Sequence, residues 1–482
     1  MIMHKLNSST SSSREIIVFV IKLFVLLAMV LAFFNHILPQ YVGGYTSSML
    51  DKTSRIDSIN DPKIVLIGHS GLSFGIDSAM IEEALGMPVV NMGLHGGLGN
   101  AFHEEMAKMN VNEGDIYVVC HSAFNDTDLI SDAVLAWTTV ENHPQLWRLV
   151  RTKDLPRMFE ASPTYLKRSM NLYTAQAGNI DGGGVYSRSA FNEYGDVKLD
   201  RLSHTYKFES VKVPEIGDIT VNRLNELNDW LSERGASLVV ASYNIGNGHH
   251  TSDVSEFISF QRALQERLDC PVISNYVDYM FAYNLFYDTN LHLTNEGVRI
   301  RTQQLILDLN RWMETGEETV FDEDEYDEIL FDCNLAHITD FNEYLSAIKT
   351  AKDRYIVFIS GKDEVVSGLN EDDFLQLRQL GIESLEPANQ RASFYAVIDR
   401  DNVQENVLNK RIEVNGEFEN LPWTIISAGY DCGNDSSITI RNQEFSYKQR
   451  GLNIVVYSTT RDRVIDCVSF DTYLSAKTVF RQ

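Results

Sequence analysis

Cysteine and positive charge are both scarce in this chain, and each shortage excludes something. Five cysteines in 482 residues (Cys120, Cys270, Cys333, Cys432 and Cys467) are too few for a disulfide-built fold, and the count is odd. No Cys-x-x-Cys pair points to structural zinc or dithiol chemistry. Cys120 closes the apolar run "IYVVC" and is expected to be buried. Two of Cys333, Cys432 and Cys467 could pair in an oxidising exterior. Lys and Arg number 41 against 67 Asp and Glu, a net charge of −26. No Lys/Arg cluster of the kind that makes a nucleic-acid footprint stands out, so nucleic acid is not an expected partner. The pair His249–His250 has no further ligands at fixed spacing and reads as a polar loop. Neither a metal nor an organic cofactor is expected.

What is present begins with "IIVFVIKLFVLLAMVLAFF", Ile16–Phe34, 19 residues with Lys22 as the only charge. That length suits a hydrocarbon core of roughly 30 Å at about 1.5 Å per residue. It is too long for the apolar region of a cleaved signal, and "NHILPQYVGG" offers no small-x-small cleavage site. Lys5, Arg14 and Lys22 place the N-terminus inside and the bulk of the chain outside. The expectation is a cytoplasmic tail over 1–14, an anchor over 15–39 in contact with membrane lipid, and extracellular domains beyond.

From Lys63 short apolar runs alternate with helical patterns. "KIVLIG", "PVVNMG", "DIYVVCH", "ASLVVASYN" and "CPVISNY" are apolar along their length, which predicts a parallel sheet covered on both faces. The predicted fold is α/β, a three-layer, doubly wound, five-stranded domain over 60–313. A partly helical insertion at 127–217 lacks a strong period and could line a cleft. Ten acidic residues among nineteen in "ETGEETVFDEDEYDEILFD" predict a solvated linker over 314–328. Residues 329–482 then read as a second module, α+β or sandwich-like.

Function in a doubly wound sheet collects at the carboxyl ends of its strands. Ser70 lies there, in "KIVLIGHSGLSFGID". After the second strand, "NMGLHGGLGN" offers a glycine N–H for an oxyanion, Gly93 first among them. After the third, "AFND" offers the Asn125 amide, and "FYDTNLHLTNEG" brings Asp288 and His292 ahead of the last helix. His69, His95 and His121 fall close enough to line the cleft. A serine with a base, an orienting carboxylate and oxyanion donors is the equipment of acyl transfer.

Gly-x-Ser, Asn-x-Gly, Asn-Asp and Asp…His-Leu, in that order, resemble the four blocks of the SGNH (GDSL-like) hydrolases. The likeness is to bacterial membrane-anchored members linked to O-acylation of surface polysaccharide. It implies Ser70 as nucleophile, His292 as general base, and an oxyanion hole from Gly93, Asn125 and the Ser70 N–H. Three positions depart from the pattern: His69 replaces Asp in the first block, Ala123 replaces Gly in the third, and Asp288 precedes His292 by four residues, with Thr289 in the usual place. A Ser–His–Asp triad and a Ser–His dyad both remain open. "RGLN" (Arg450–Asn453) and "FDTY" (Phe470–Tyr473) are similar to the interleukin-like EMT inducer (ILEI) domain, with its halves in permuted order. That resemblance implies a compact module suited to carbohydrate binding. Together these imply an esterase or acyltransferase, acetyl being the favoured group, acting on acylated cell-surface polysaccharide beside envelope glycan-synthesis proteins. The rivals are a D-alanyl-transfer-like acyltransferase and a catalytically silent glycan-binding or assembly protein.

Overall fold

The computed structural model describes residues 13–33, 37–141, 143–175, 183–202, 212–247 and 252–481; His249 and His250 lie outside them. Four parallel strands, β1 (Ile64–Gly68), β2 (Val89–Asn91), β3 (Ile116–Cys120) and β4 (Ser237–Val240), form a sheet in the order β2-β1-β3-β4. Ile64 pairs with Val89 on one side and Ile116 on the other, and Ile116 pairs with Ser237. Strand alternation divides the apolar residues between two faces. Ile64, Leu66 and Val118 pack with Ile81, Leu305 and Leu309 of helices Ser78–Leu85 and Asn295–Thr315. Val65, Ile67 and Val119 pack in the opposite core with Phe102, Leu224 and Phe257, from helices Asn100–Met106, Asp218–Ser232 and Val254–Arg267. Burial of the strands on both sides explains why they read as continuous apolar runs.

The expected fifth strand is reduced to one parallel bridge, Val240 to Val272. The Val240 N–H donates to the Pro271 carbonyl and the Ile273 N–H to the Val240 carbonyl, each at 2.9 Å. Pro271 has no N–H for a longer ladder, and the chain turns into a 3-10 segment at Tyr276–Tyr279. Two short strands, β5 (Ile245–Gly246) and β6 (Met280–Phe281), pair with each other beyond it.

The second region is a curled ten-stranded sheet: β7 (Tyr355–Asp363), β8 (Ser393–Asp399), β9 (Asn402–Leu408), β10 (Ile412–Phe418), β11 (Leu421–Gly429), β12 (Asp435–Ile440), β13 (Gln443–Glu444), β14 (Gly451–Ser458), β15 (Arg463–Phe470) and β16 (Val479–Phe480). It forks at β7, which pairs with β8 over Ile356–Ser360 and with β11 only at Lys362 and Asp363. Tyr355, Val357 and Ile359 lie under helices Phe341–Thr350 and Glu371–Gln379. Ile356 and Phe358 face the other way, into a core shared with Tyr279, Phe281, Leu285, Leu293 and Ile300 of the first region. The sheet therefore backs directly onto the chain segment that carries Asp288 and His292.

Two further expectations change. The acidic stretch is no bare spacer: helix Glu323–Leu335 starts within it. Tyr326, Ile329, Leu330 and Cys333, at helical spacing, pack on the first core, and the Thr319 N–H donates to Val272 at 2.9 Å. All five cysteines are free thiols. Cys333 lies in the first core and Cys467 in the shared one, while Cys432 sits on a surface turn, so the pairing the sequence allowed has no geometry. At the other end, helix Ser13–Ala32 is long and apolar enough to span a membrane, with a mean hydropathy of 2.7 over Glu15–Ala32 and none of that window buried.

Candidate functional site

β1 stops at Gly68, where a Cβ would come within 2.9 Å of the Cys120 carbonyl oxygen; close approach of β3 demands glycine there. The His69 Nδ1 accepts the Gly71 N–H at 3.0 Å and caps a single helical turn, Ser70–Ser73. Ser70 therefore projects from a turn at the carboxyl end of a central strand.

His292 comes from a loop closed twice. Phe286 and Leu293 form an antiparallel bridge, and the Tyr287 N–H donates to the His292 carbonyl at 2.8 Å. Thr289 stands where the aspartate was expected, and its hydroxyl accepts the N–H groups of Leu291 and His292 at 3.2 and 3.1 Å. The imidazole stacks on Phe74, four residues beyond Ser70, with centroids 3.9 Å apart and an interplanar angle of 8°. His292 Nε2 lies 2.8 Å from Ser70 Oγ, and His292 Nδ1 lies 2.8 Å from Asp288 Oδ1. The structure thus brings Ser70, His292 and Asp288 together despite the four-residue spacing, because Thr289 closes the turn and leaves Asp288 facing the ring. The Tyr186 hydroxyl, from the insertion, donates to Asp288 Oδ2. Burial alone would raise the Asp288 pKa; hydrogen bonds from His292 and Tyr186 outweigh it and hold the carboxyl below its ordinary value.

The opposite side differs from expectation. The Gly93 N–H donates to Asn91 Oδ1 at 2.9 Å, and the Gly93 carbonyl accepts Ser73 Oγ at 2.6 Å. A Cβ there would meet Leu72 Cβ at 2.7 Å and Ser73 N at 2.9 Å. Gly93 is thus glycine for packing against the Ser70 turn, and its donor is engaged. The Asn125 amide donates to Glu215 at 3.0 Å on an exposed rim and would have to leave that partner to meet an oxyanion. Gly96, in the same loop, is the glycine whose backbone is better placed than that of Gly93 to offer a free donor. It is exposed, a Cβ would lie 3.6 Å from His69 Cβ, and as the first residue of the 3-10 turn Gly96–Leu98 its N–H has no partner within that turn. The signal for it is the second glycine of "NMGLHGG", three residues after Gly93.

Of the three expected cleft histidines only His95 is exposed; its ring meets Tyr45 edge-on at 6.3 Å. Partial desolvation of its ring lowers its pKa, with Asp132 pulling the other way and the neighbouring His292 adding to the lowering. His69 is buried, and desolvation with His103 and His121 nearby keeps it neutral, as a capping acceptor requires. His121 is also buried, with Nε2 3.1 Å from Glu104 Oε1. Neither of these two lines the cleft.

Two supports were not legible at all. Buried Lys52 donates to the carbonyls of Asn91 and Gly195 at 2.7 and 2.6 Å, and Asn91 Nδ2 donates to Leu72 and Asp196, which fixes the Gly93 loop against the Ser70 turn. From the far sheet, Gln443 donates to the Asn284 carbonyl, and the Asn284 amide donates to Phe445 at 3.0 Å. Arg441 and Arg299 both bind Glu296 and Asp462, just after the histidine loop.

Comparison with known proteins gives no match: no family model, no curated protein and no solved structure resembles the chain. The functional reading therefore rests on this geometry and on the sequence blocks.

Proposed function

We propose that the chain is a membrane-anchored, extracytoplasmic serine esterase or O-acyltransferase of SGNH type, acting on O-acyl groups, acetyl foremost, of cell-surface polysaccharide. The observation that carries the reading is the continuous Ser70–His292–Asp288 hydrogen-bond line, 2.8 Å at each step. Ser70 Oγ attacks the ester carbonyl while its proton passes to His292 Nε2, and the carbonyl π pair becomes an oxyanion facing the Gly96 N–H. Collapse expels the sugar oxygen, which takes the proton from Nε2 and leaves an acyl-Ser70. Water or a second sugar hydroxyl then attacks the acyl carbon, giving its proton to the same nitrogen, and collapse breaks the Ser70 Oγ–acyl bond as Nε2 returns that proton to Oγ. Asp288 holds Nδ1–H and stabilises the imidazolium of each step. The curled C-terminal sheet, which backs the histidine loop, is assigned to holding the glycan.

The engaged donors of Gly93 and Asn125 favour the second reading, a catalytically silent glycan-binding or assembly protein on the same scaffold. A serine-directed fluorophosphonate applied to the detergent-solubilised full chain separates the two. The enzyme reading expects covalent label on Ser70 that disappears in Ser70→Ala and after mild denaturation. An unlabelled Ser70 in folded protein supports the silent scaffold.

A further inference from the structure

Helix Leu155–Thr174 takes no part in the triad, and its outer side is unusual for this chain. Phe159, Pro163, Leu166, Met170 and Tyr173 recur at i, i+4, i+7, i+11 and i+14, one stripe along the helix. Phe159 is 68% and Tyr173 47% exposed, while Met158, Tyr165 and Ser169 face the body. Residues 144–175 carry six cations (Arg148, Arg151, Lys153, Arg157, Lys167 and Arg168) against two acids, Asp154 and Glu160, in a chain of net charge −26. Arg148 is paired with Asp57, Arg151 with Asp128 and Asp154, and Lys153 with Asp128. Arg157, Lys167 and Arg168 make no ion pair among the described residues.

The position of the helix supplies the second observation. The Tyr165 hydroxyl donates to Glu141 Oε2 at 2.7 Å, and Glu141 Oε1 accepts the Tyr41 N–H at 2.9 Å. Tyr41 follows Leu38, which is buried in the body and whose N–H donates to Phe33, one residue past the apolar helix, at 3.1 Å. Two hydrogen bonds and a few residues of chain therefore join the helix to the base of the anchor. Four residues further on, Tyr45 lies against Phe74 and Tyr186 at the triad, with centroids 6.1 Å from each.

We propose that helix Leu155–Thr174 lies on the bilayer surface, its Phe159–Tyr173 stripe among the acyl-chain boundaries and its unpaired cations on anionic lipid headgroups. Aromatic residues at the ends of a basic helix are the means by which interfacial helices bind anionic bilayers. The body is then held down at two points, anchor and helix. The Ser70 cleft, tied to the same juxtamembrane segment, works on glycan close to the membrane. The inference rests on the anchor reading, and the test keeps the two apart.

The full chain, with Phe159→Cys carrying an environment-sensitive fluorophore in a Cys432→Ala background, is reconstituted in nanodiscs. Lipids with shallow nitroxide labels are the quenchers, and Leu375→Cys, exposed on the C-terminal region, is the control. In phosphatidylglycerol-containing discs, quenching at 159 should exceed the control by about threefold or more, and should drop in pure phosphatidylcholine. The triple variant Arg157→Glu, Lys167→Glu, Arg168→Glu, checked for an unchanged melting transition, should lower it as well. Quenching at 159 equal to the control in anionic discs overturns the proposal, as does cross-linking of two copies through this stripe without lipid quenching. A chain that fails to incorporate into discs refutes the anchor instead.

Discussion

On one side of Ser70 the imidazole of His292 is already seated, stacked on Phe74 and bonded to Asp288; on the other, two of the expected oxyanion donors, Gly93 and Asn125, are engaged elsewhere. The difference follows from how each side is built. Asp288, Thr289 and His292 belong to one short closed loop, so local hydrogen bonds fix their relation, and the second sheet presses the loop into place through Gln443 and Arg441. The oxyanion side is assembled from separate chain segments whose side chains also serve the scaffold. Gly96, which offers a backbone N–H in place of theirs, lies on an exposed turn.

Breaking the base side should cost most. Asp288→Asn leaves the packing intact but cannot hold the same imidazole tautomer, and kcat should fall by about 10³–10⁴ in an aryl acetate assay, with KM little changed. A dyad mechanism would leave kcat within about tenfold of the parent. Gly96→Pro is next. Residue 96 opens a 3-10 turn, where proline fits, and His95 at φ −61° and ψ 124° suits a following proline. Only the N–H is lost, and kcat should fall by about 10²–10³ with an unchanged melting temperature.

Tyr186→Phe should have an intermediate effect, about tenfold in kcat/KM, with a pH signature. The Asp288 pKa is depressed, so its contribution is present above the ordinary carboxylate range and is lost as pH falls through the folded value. Removing the tyrosine donor raises that pKa, and the acid limb of the pH–rate profile should move to higher pH. Asn125→Ala should be the smallest, within about threefold, because its amide serves Glu215. A loss of a hundredfold there would show that Asn125 swings inward during catalysis.

The parallel sheet was legible because its strands are buried on both faces, and Ser70, Asp288 and His292 because each follows a recognisable strand end or precedes the last helix. Commitments between distant residues were not. Asn125 and Glu215 are 90 positions apart, and nothing in "AFND" announces the pairing. Tyr186 lies in a region without a period, and Lys52 reads as a surface lysine until its three buried acceptors are seen. The fifth strand was lost to Pro271, a proline at the start of the apolar run, which has no N–H to extend the pairing beyond the Val240–Val272 bridge. The helix at Glu323–Leu335 was hidden by its own acidity, although Tyr326, Ile329, Leu330 and Cys333 mark its buried side.

The central claim is that Ser70 carries the acyl group between donor and acceptor. The direct measurement is rapid-quench mass spectrometry of the full chain mixed with an aryl acetate, followed by peptide mapping. The account expects one acetyl group on the peptide containing Ser70 within the first turnover, absent in Ser70→Ala and slow to form in His292→Ala. Aryl ester turnover by the parent chain with no acyl group on Ser70, or equal turnover by Ser70→Ala, would contradict it.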